Sequence, residues 1–201
     1  MEKRHRVFIA INLPDDIKKE LIKHQDKFKN KFIFAGEDGE NFDLAKWTIK
    51  DNLHITLEFL GYLTDQEIAD TCKITKETAK NHESFSINLN KIEYGPKNKP
   101  FPSMIWASGE KSKEISLFKN HLQESLLESV NFKPEGREFT PHITLARLKE
   151  WQLKAINPEE QPEISEDINL LFTVESIEVM ESVMKKGGPA YEILESCELK
   201  I

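Results

Sequence analysis

Apolar and polar positions along the chain change period several times, and each change predicts an element. Arg6 to Leu13 reads as a strand, and Pro14 then opens a helix on which Ile17, Leu21, Ile22, Gln25 and Phe28 recur at helical spacing. From Phe32 to Lys46 the composition turns to Gly, Asp, Glu and Asn, which predicts an exposed loop or insertion ahead of strand material at Trp47 and at Leu53 to Leu60. Thr64 with Glu67 three residues on fits a capping box, so a second helix is expected to run to about Lys80. Phe85 to Tyr94 alternates as a strand, and Gly95, Pro96, Pro100 and Pro102 mark a loop after it. Met104 to Ala107 reads as a further strand. Ser112 is a candidate cap for a helix whose Ile115, Phe118, Leu122 and Leu126 form one apolar, core-facing stripe. Phe139 to Leu148 is again strand-like, and 157 to 167 reads as a polar connector. Phe172 to Val183 and Tyr191 to Leu199 then form a hairpin-like pair around KKGGP. Strands and helices interleave without the regular order of parallel βαβ units, so an α+β fold is expected rather than a doubly wound one.

The length of 201 residues and the 38% hydrophobic content suffice for one substantial core, or for two small lobes sharing a cleft, without metal or disulfide support. Cys72 and Cys197 lie far apart and belong to no Cys-x-x-Cys or Cys/His cluster, so both are expected to be reduced, packed thiols. The N-terminal stretch has neither the apolar core nor the small-residue cleavage pattern of a signal peptide, and no later segment reaches the roughly 18 apolar residues of a membrane span. A cytoplasmic protein without membrane association is therefore expected. A net charge of −7 argues against coating long nucleic acid, which requires a basic stripe, and leaves room for a site holding one terminal phosphate.

One internal echo carries chemistry. LHITLEFLG at 53 to 61 and PHITLARLK at 141 to 149 share His-Ile-Thr-Leu, with the histidines 88 positions apart. On a strand, His54 and Thr56 occupy one face and Ile55 and Leu57 the other, and His142 and Thr144 repeat the arrangement. Two lobes with matching strands would explain the repeat. Imidazole titrates near pH ~6.5, so a pair meeting across a cleft can divide the roles of proton donor and acceptor around neutrality. Threonine hydroxyls two residues on can hold the oxygens of a phosphodiester as charge builds in the transition state. A single His-x-Thr is ordinary strand sequence; its repetition in similar context is what points to a site. A metal centre is not expected, because two histidines need a further ligand and no nearby carboxylate accompanies both copies. Glu58 lies on the His54 face by strict alternation, while the corresponding position of the second copy is Ala146.

At these residues the sequence resembles the 2H phosphoesterases, defined by two His-x-[Thr/Ser]-x motifs, and within them the RNA 2′,3′-cyclic phosphodiesterases, also called 2′-5′ RNA ligase-like proteins. The resemblance runs along nearly the whole chain, through RVFIAINLP, NLHITLEFLG, GREFTPHITLAR and VMESVMKKGGPAYEIL. It implies a single bilobal domain over residues 1 to 201, with two pseudo-symmetric lobes, each an antiparallel sheet with helices, around a central cleft. It also implies metal- and cofactor-independent opening of a terminal 2′,3′-cyclic phosphate to a 2′-phosphate. The partners would be RNA 3′ ends or nucleoside 2′,3′-cyclic phosphates, with no obligate protein partner evident. By the resemblance, His54 is the general acid at the leaving 3′-oxygen, His142 the general base on water, and Thr56 and Thr144 bind the phosphate. The residues alone leave the two histidine roles interchangeable. Arg147, and Arg137 in GREF, either neutralise phosphate charge or hold a carboxylate. Phe8 either stacks on a base or belongs to the core, and Lys185 and Lys186 either reach the RNA backbone or form a solvated turn. The segment at 33 to 46 is longer than the family pattern leads one to expect. Relatives with near-identical motifs cleave 2′-5′ linkages or ligate them, and a non-catalytic RNA-end binding module is the alternative of another class.

Overall fold

The computed structural model describes residues 2–35, 40–97, 101–134 and 139–200. In chain order it contains β1 (His5–Asn12), α1 (Asp15–Lys29), β2 (Ile33–Ala35), β3 (Asn41–Asp43), β4 (Ala45–Trp47), β5 (His54–Leu63), α2 (Asp65–Ala79), β6 (Phe85–Gly95) and β7 (Met104–Gly109). There follow α3 (Lys113–Leu127), β8 (His142–Leu148), α4 (Glu150–Ala155), β9 (Ser165–Val174), β10 (Ser176–Lys185) and β11 (Gly188–Glu198). A nine-stranded antiparallel sheet has the order β11-β10-β1-β5-β8-β7-β6-β9, with β4 added against β8. The two strands carrying the His-Ile-Thr-Leu repeats lie side by side at its centre, joined through Ile55 opposite Ile143.

That order divides the sheet into two four-stranded halves built alike. In one, β1 and α1 precede motif strand β5; in the other, β7 and α3 precede motif strand β8. The expected α+β class with two matching lobes is what the fold contains, the two lobe sheets being continuous through the β5–β8 seam. β1 is flanked by β10 and β5, and Val7 to Ile11 are all buried, which accounts for an unbroken apolar run in place of alternation.

Helix boundaries follow the local chemistry. Pro14 stands at the N-cap of α1, and Ile17, Leu21 and Phe28 bury its apolar stripe. Gln25 is buried in the same stripe and donates both amide hydrogens, to Thr48 O and Leu145 O at 3.0 Å each, tying α1 to the second half of the sheet. Thr64 and Glu67 form the reciprocal capping box of α2, and Ser112 accepts from Ile115 N at the start of α3. The four apolar residues of the α3 stripe are all fully buried.

Three expectations need correction. The segment from 32 to 46 is not simply an exposed loop. Phe32 and Leu44 are fully buried, β2 and β3 pair as a ribbon, and β4 joins the main sheet against Ala146 to Leu148; residues 36 to 39 lie outside the described set. The run from Phe172 to Val183 is two strands broken at Glu175. β9, already begun at Ser165, pairs with β6 at one edge, whereas β10 pairs with β1 in the other half, and no Gly or Pro advertises the crossing. The strand read from Phe139 starts only at His142. Among the described residues no helix is long and apolar enough to cross a membrane.

Candidate active site

The concave face of the sheet and the strands around the β5–β8 seam line a cleft of about 1260 Å³. His54, Thr56, His142, Thr144 and Arg147 all line it, so the structure gathers into one site residues separated by more than ninety positions. The two-residue alternation of β5 and β8 places each histidine and its threonine on the same face, while Ile55, Leu57, Ile143 and Leu145 anchor the opposite face in the core.

Both imidazoles are held in the same way. His54 Nδ1 lies 2.8 Å from Asn52 O, and His142 Nδ1 lies 2.9 Å from Thr140 O. A carbonyl accepts only from N–H, so each Nδ1 carries its proton and each Nε2 is the basic nitrogen offered to the cleft. At His54 the Thr56 hydroxyl donates to Nε2 over 3.0 Å. The carbonyl that orients His54 is itself placed by the Asn52 side chain, which donates to Pro189 O at 2.7 Å and so links this turn to the start of β11.

Aromatic rings pack against the histidines from both halves. The Trp106 ring lies 4.1 Å from that of His142 at 33°, nearly stacked, and Phe8 lies 5.0 Å from His54 at 39°, with Tyr191 edge-on to both. Phe8 thus belongs to neither of its two expected settings in simple form: it is 3% exposed, yet packs with Ala10, Met180 and Tyr191 in a small cluster on the cleft side of the sheet. Trp106 and Tyr191 were not singled out in the sequence. The signal for Trp106 was available, since it occupies an alternating position of the Met104 strand, opposite Thr144.

Burial depresses the basicity of His54, whose pKa is lowered from 6.5 to about 4, mainly by desolvation and further by the nearby positive charges of Lys18 and Arg147 and by His142. In the absence of an anionic ligand His54 is therefore neutral at pH 7. Arg147 lines the cleft, with Nη1 3.8 Å from Met104 Sδ and no carboxylate partner among the described residues. The Thr144 hydroxyl is directed to the same sulfur at 3.7 Å, a weak acceptor that an anion can displace. Lys185 does not line the cleft; its Nζ is 3.1 Å from Glu192 Oε1 on the neighbouring strand. Arg137 lies outside the described residues. Among the described residues no three His, Cys, Asp or Glu side chains cluster as a metal ligand set.

Glu58 departs from the face that alternation assigns it. A bulge between Thr56 and Glu58 places Glu58 opposite Ile9, where its carboxylate is 2% exposed and takes Lys119 Nζ at 2.6 Å and Gln123 Nε2 at 2.5 Å from α3. This buried pair fastens α3 to the motif strand beside the cleft.

A site of this form can exchange protons at two points across one bound group and offer hydroxyl and guanidinium donors to an anion between them. The family model of the 2′-5′ RNA ligase superfamily matches residues 43–185. The chain is 28% identical over 190 residues to the RNA 2′,3′-cyclic phosphodiesterase of Methanocaldococcus jannaschii, covering 94% of this chain and 98% of that protein. It is 29% identical to the protein of the same name from Thermus thermophilus, covering 97% and 90%. Among solved structures, a Thermus thermophilus protein superposes with a TM-score of 0.78 at 26% identity, covering 97% of this chain and 98% of that one. E. coli LigT complexed with 3′-AMP has the same fold, with a TM-score of 0.74 at 22% identity and coverage of 99% and 100%.

Proposed function

The chain belongs to the 2′-5′ RNA ligase superfamily, and from that premise we propose that it hydrolyses the terminal 2′,3′-cyclic phosphate of RNA to a 2′-phosphate by acid-base catalysis between His54 and His142. The single observation that carries this reading is the matched presentation of two Nε2 atoms into one cleft, each fixed by a carbonyl on Nδ1 and accompanied by a threonine hydroxyl. A binding module would need only donors such as Lys, Arg or amides; two oriented imidazoles add proton transfer.

In the proposed reaction His142 takes a proton from water as the water oxygen bonds to phosphorus. The bond to the 3′-oxygen breaks as that oxygen receives a proton from His54. Thr56, Thr144 and Arg147 hold the non-bridging oxygens. Because His54 is neutral in the ligand-free cleft, it must take up its proton together with the substrate's negative charge, which raises its pKa. Binding then consumes a proton, so KM should rise with pH, by up to about tenfold per unit, between the free and bound pKa values of His54. A KM that stays flat from pH 5.5 to 7.5 reverses the two histidine roles.

The test of the reaction is incubation with the four nucleoside 2′,3′-cyclic phosphates and a short cyclic-ended RNA in EDTA, with 2′- and 3′-phosphate products resolved. Release of the 2′-phosphate is expected, with His142→Ala slower by roughly 10²-fold or more. Cleavage of 2′-5′-linked dinucleotides without turnover of cyclic phosphates reassigns the substrate. Binding of RNA ends without turnover of either kind removes the enzyme.

A further inference from the structure

The cleft is basic although the protein is acidic. Among the described residues six cationic side chains line it and two carboxylates, and both carboxylates are already paired: Glu58 with Lys119 at 2.6 Å and Glu93 with Lys97 at 3.0 Å. Against a net charge of −7, that makes cationic side chains outnumber carboxylates along the cleft where an anionic strand would lie. Two of these cations have a special position relative to the histidines. Arg147 lies on β8 between β4 and β7, near enough for its charge to act on His54, while Arg6 lies at the far end of β1 on the Phe8 side, is exposed, and has no hydrogen-bond or ion-pair partner among the described residues.

Between Arg6 and the histidines lies an open aromatic surface. The bulge in β5 between Thr56 and Glu58 brings Phe59 opposite Phe8, with ring centroids 6.3 Å apart, on the face shared with His54. Phe59 is 51% exposed and lines the cleft, and Tyr62, 65% exposed, stands opposite Arg6. A phenylalanine half exposed on a sheet, beside buried aromatics and an arginine without a partner among the described residues, has the composition of a stacking platform for single-stranded nucleic acid.

The spacing along β1 orders these groups. Ala10 is opposite Thr56, Phe8 is two residues further, about 7 Å, and Arg6 four residues further, about 13 Å, at strand rise. We propose that Phe59 stacks the base of the terminal nucleotide and that Arg6 pairs with the phosphate on its 5′ side, so that the preferred substrate is an RNA end of two or more nucleotides and not a nucleoside 2′,3′-cyclic phosphate. This rests on the reaction proposed above. The strand leaves the site along β1 and β5, over the first half of the sheet. The guanidinium makes a charge-assisted contact that a substrate lacking a 5′-phosphate cannot provide.

The experiment compares kcat/KM for adenosine 2′,3′-cyclic phosphate with that for the same nucleotide carrying a 5′-phosphate and for the cyclic-ended ApA dinucleotide. The 5′-phosphate should raise kcat/KM by about tenfold or more. Arg6→Gln should bring the ratio close to one, whereas Lys73→Gln, an exposed charge on α2 away from the cleft, keeps the wild-type ratio. Phe59→Ala should raise KM by about fivefold or more for the nucleotides, with Phe59→Tyr restoring most of it. A wild-type ratio of one, or an Arg6→Gln variant that keeps the wild-type ratio, overturns the inference. So does a collapse of the ratio in Lys91→Gln instead, which would route the strand over the second half. If no cyclic phosphate is turned over, Arg6-dependent binding of 5′,2′-bisphosphorylated adenosine separates the outcomes: its presence leaves the platform standing and removes only the reaction, and its absence removes both.

Discussion

Acid should destabilise this protein through one partly buried imidazole. An unfolded histidine titrates near pH 6.5, whereas His54 in the fold stays neutral down to about pH 4 because burial penalises its charged form. Between those values the unfolded chain binds a proton that the folded chain refuses. Stability is therefore intact above pH 6.5, is lost as the pH falls below it, and stops falling below pH 4. The full shift corresponds to about 3 kcal/mol, of which about 2 kcal/mol is lost at pH 5, an upper figure because the ring is only partly buried and lines the cleft. His54→Gln removes the titration while filling much of the same space. Urea unfolding of both proteins at pH 7.5, 6 and 5 isolates the effect, since every other titrating group cancels in the difference of slopes. The wild type should lose about 1–2 kcal/mol more than the variant between pH 7.5 and 5, about 2–8 °C in Tm for a domain of this size. Parallel pH profiles within about 0.5 kcal/mol would refute the premise that the fold holds His54 neutral.

Further outcomes follow from the same geometry. Thr144→Ala should lower kcat by about 10²-fold with the fold intact, because its hydroxyl is placed for charge that develops in the transition state; a change confined to KM contradicts that role. Glu58→Ala leaves Lys119 buried without its counter-charge and should cost about 3–5 kcal/mol in chemical denaturation, while the double change Glu58→Met with Lys119→Met should recover most of it. An unchanged midpoint for Glu58→Ala would mean that Lys119 escapes to solvent. Thr64→Ala removes the hydroxyl half of the α2 capping box and should cost about 1 kcal/mol in the same measurement.

The sequence by itself determined the helices, the two motif strands and the residues offered to the site. These depend on short-range rules: period 3.6 on α1 and α3, the Thr64–Glu67 cap, and period 2 through His54–Thr56 and His142–Thr144, which any strand there must obey. Only the tertiary structure decided which strands are neighbours. Strand pairing is non-local, so nothing in the run from Phe172 to Val183 announces that its first part pairs with β6 and the rest with β1. The apparent loop before the first motif gained its buried Phe32 and Leu44 and the strand β4 only because the edge of β8 was there to receive them. Bulges were equally invisible. Strict alternation puts Glu58 with His54 and Phe59 opposite, but the extra residue in β5 between Thr56 and Glu58 exchanges them, sending the carboxylate to Lys119 and the ring to the Phe8 side of the cleft. Likewise, the low pKa of His54 comes from atoms contributed by distant segments, since desolvation depends on everything packed around a group and not on its neighbours in the chain.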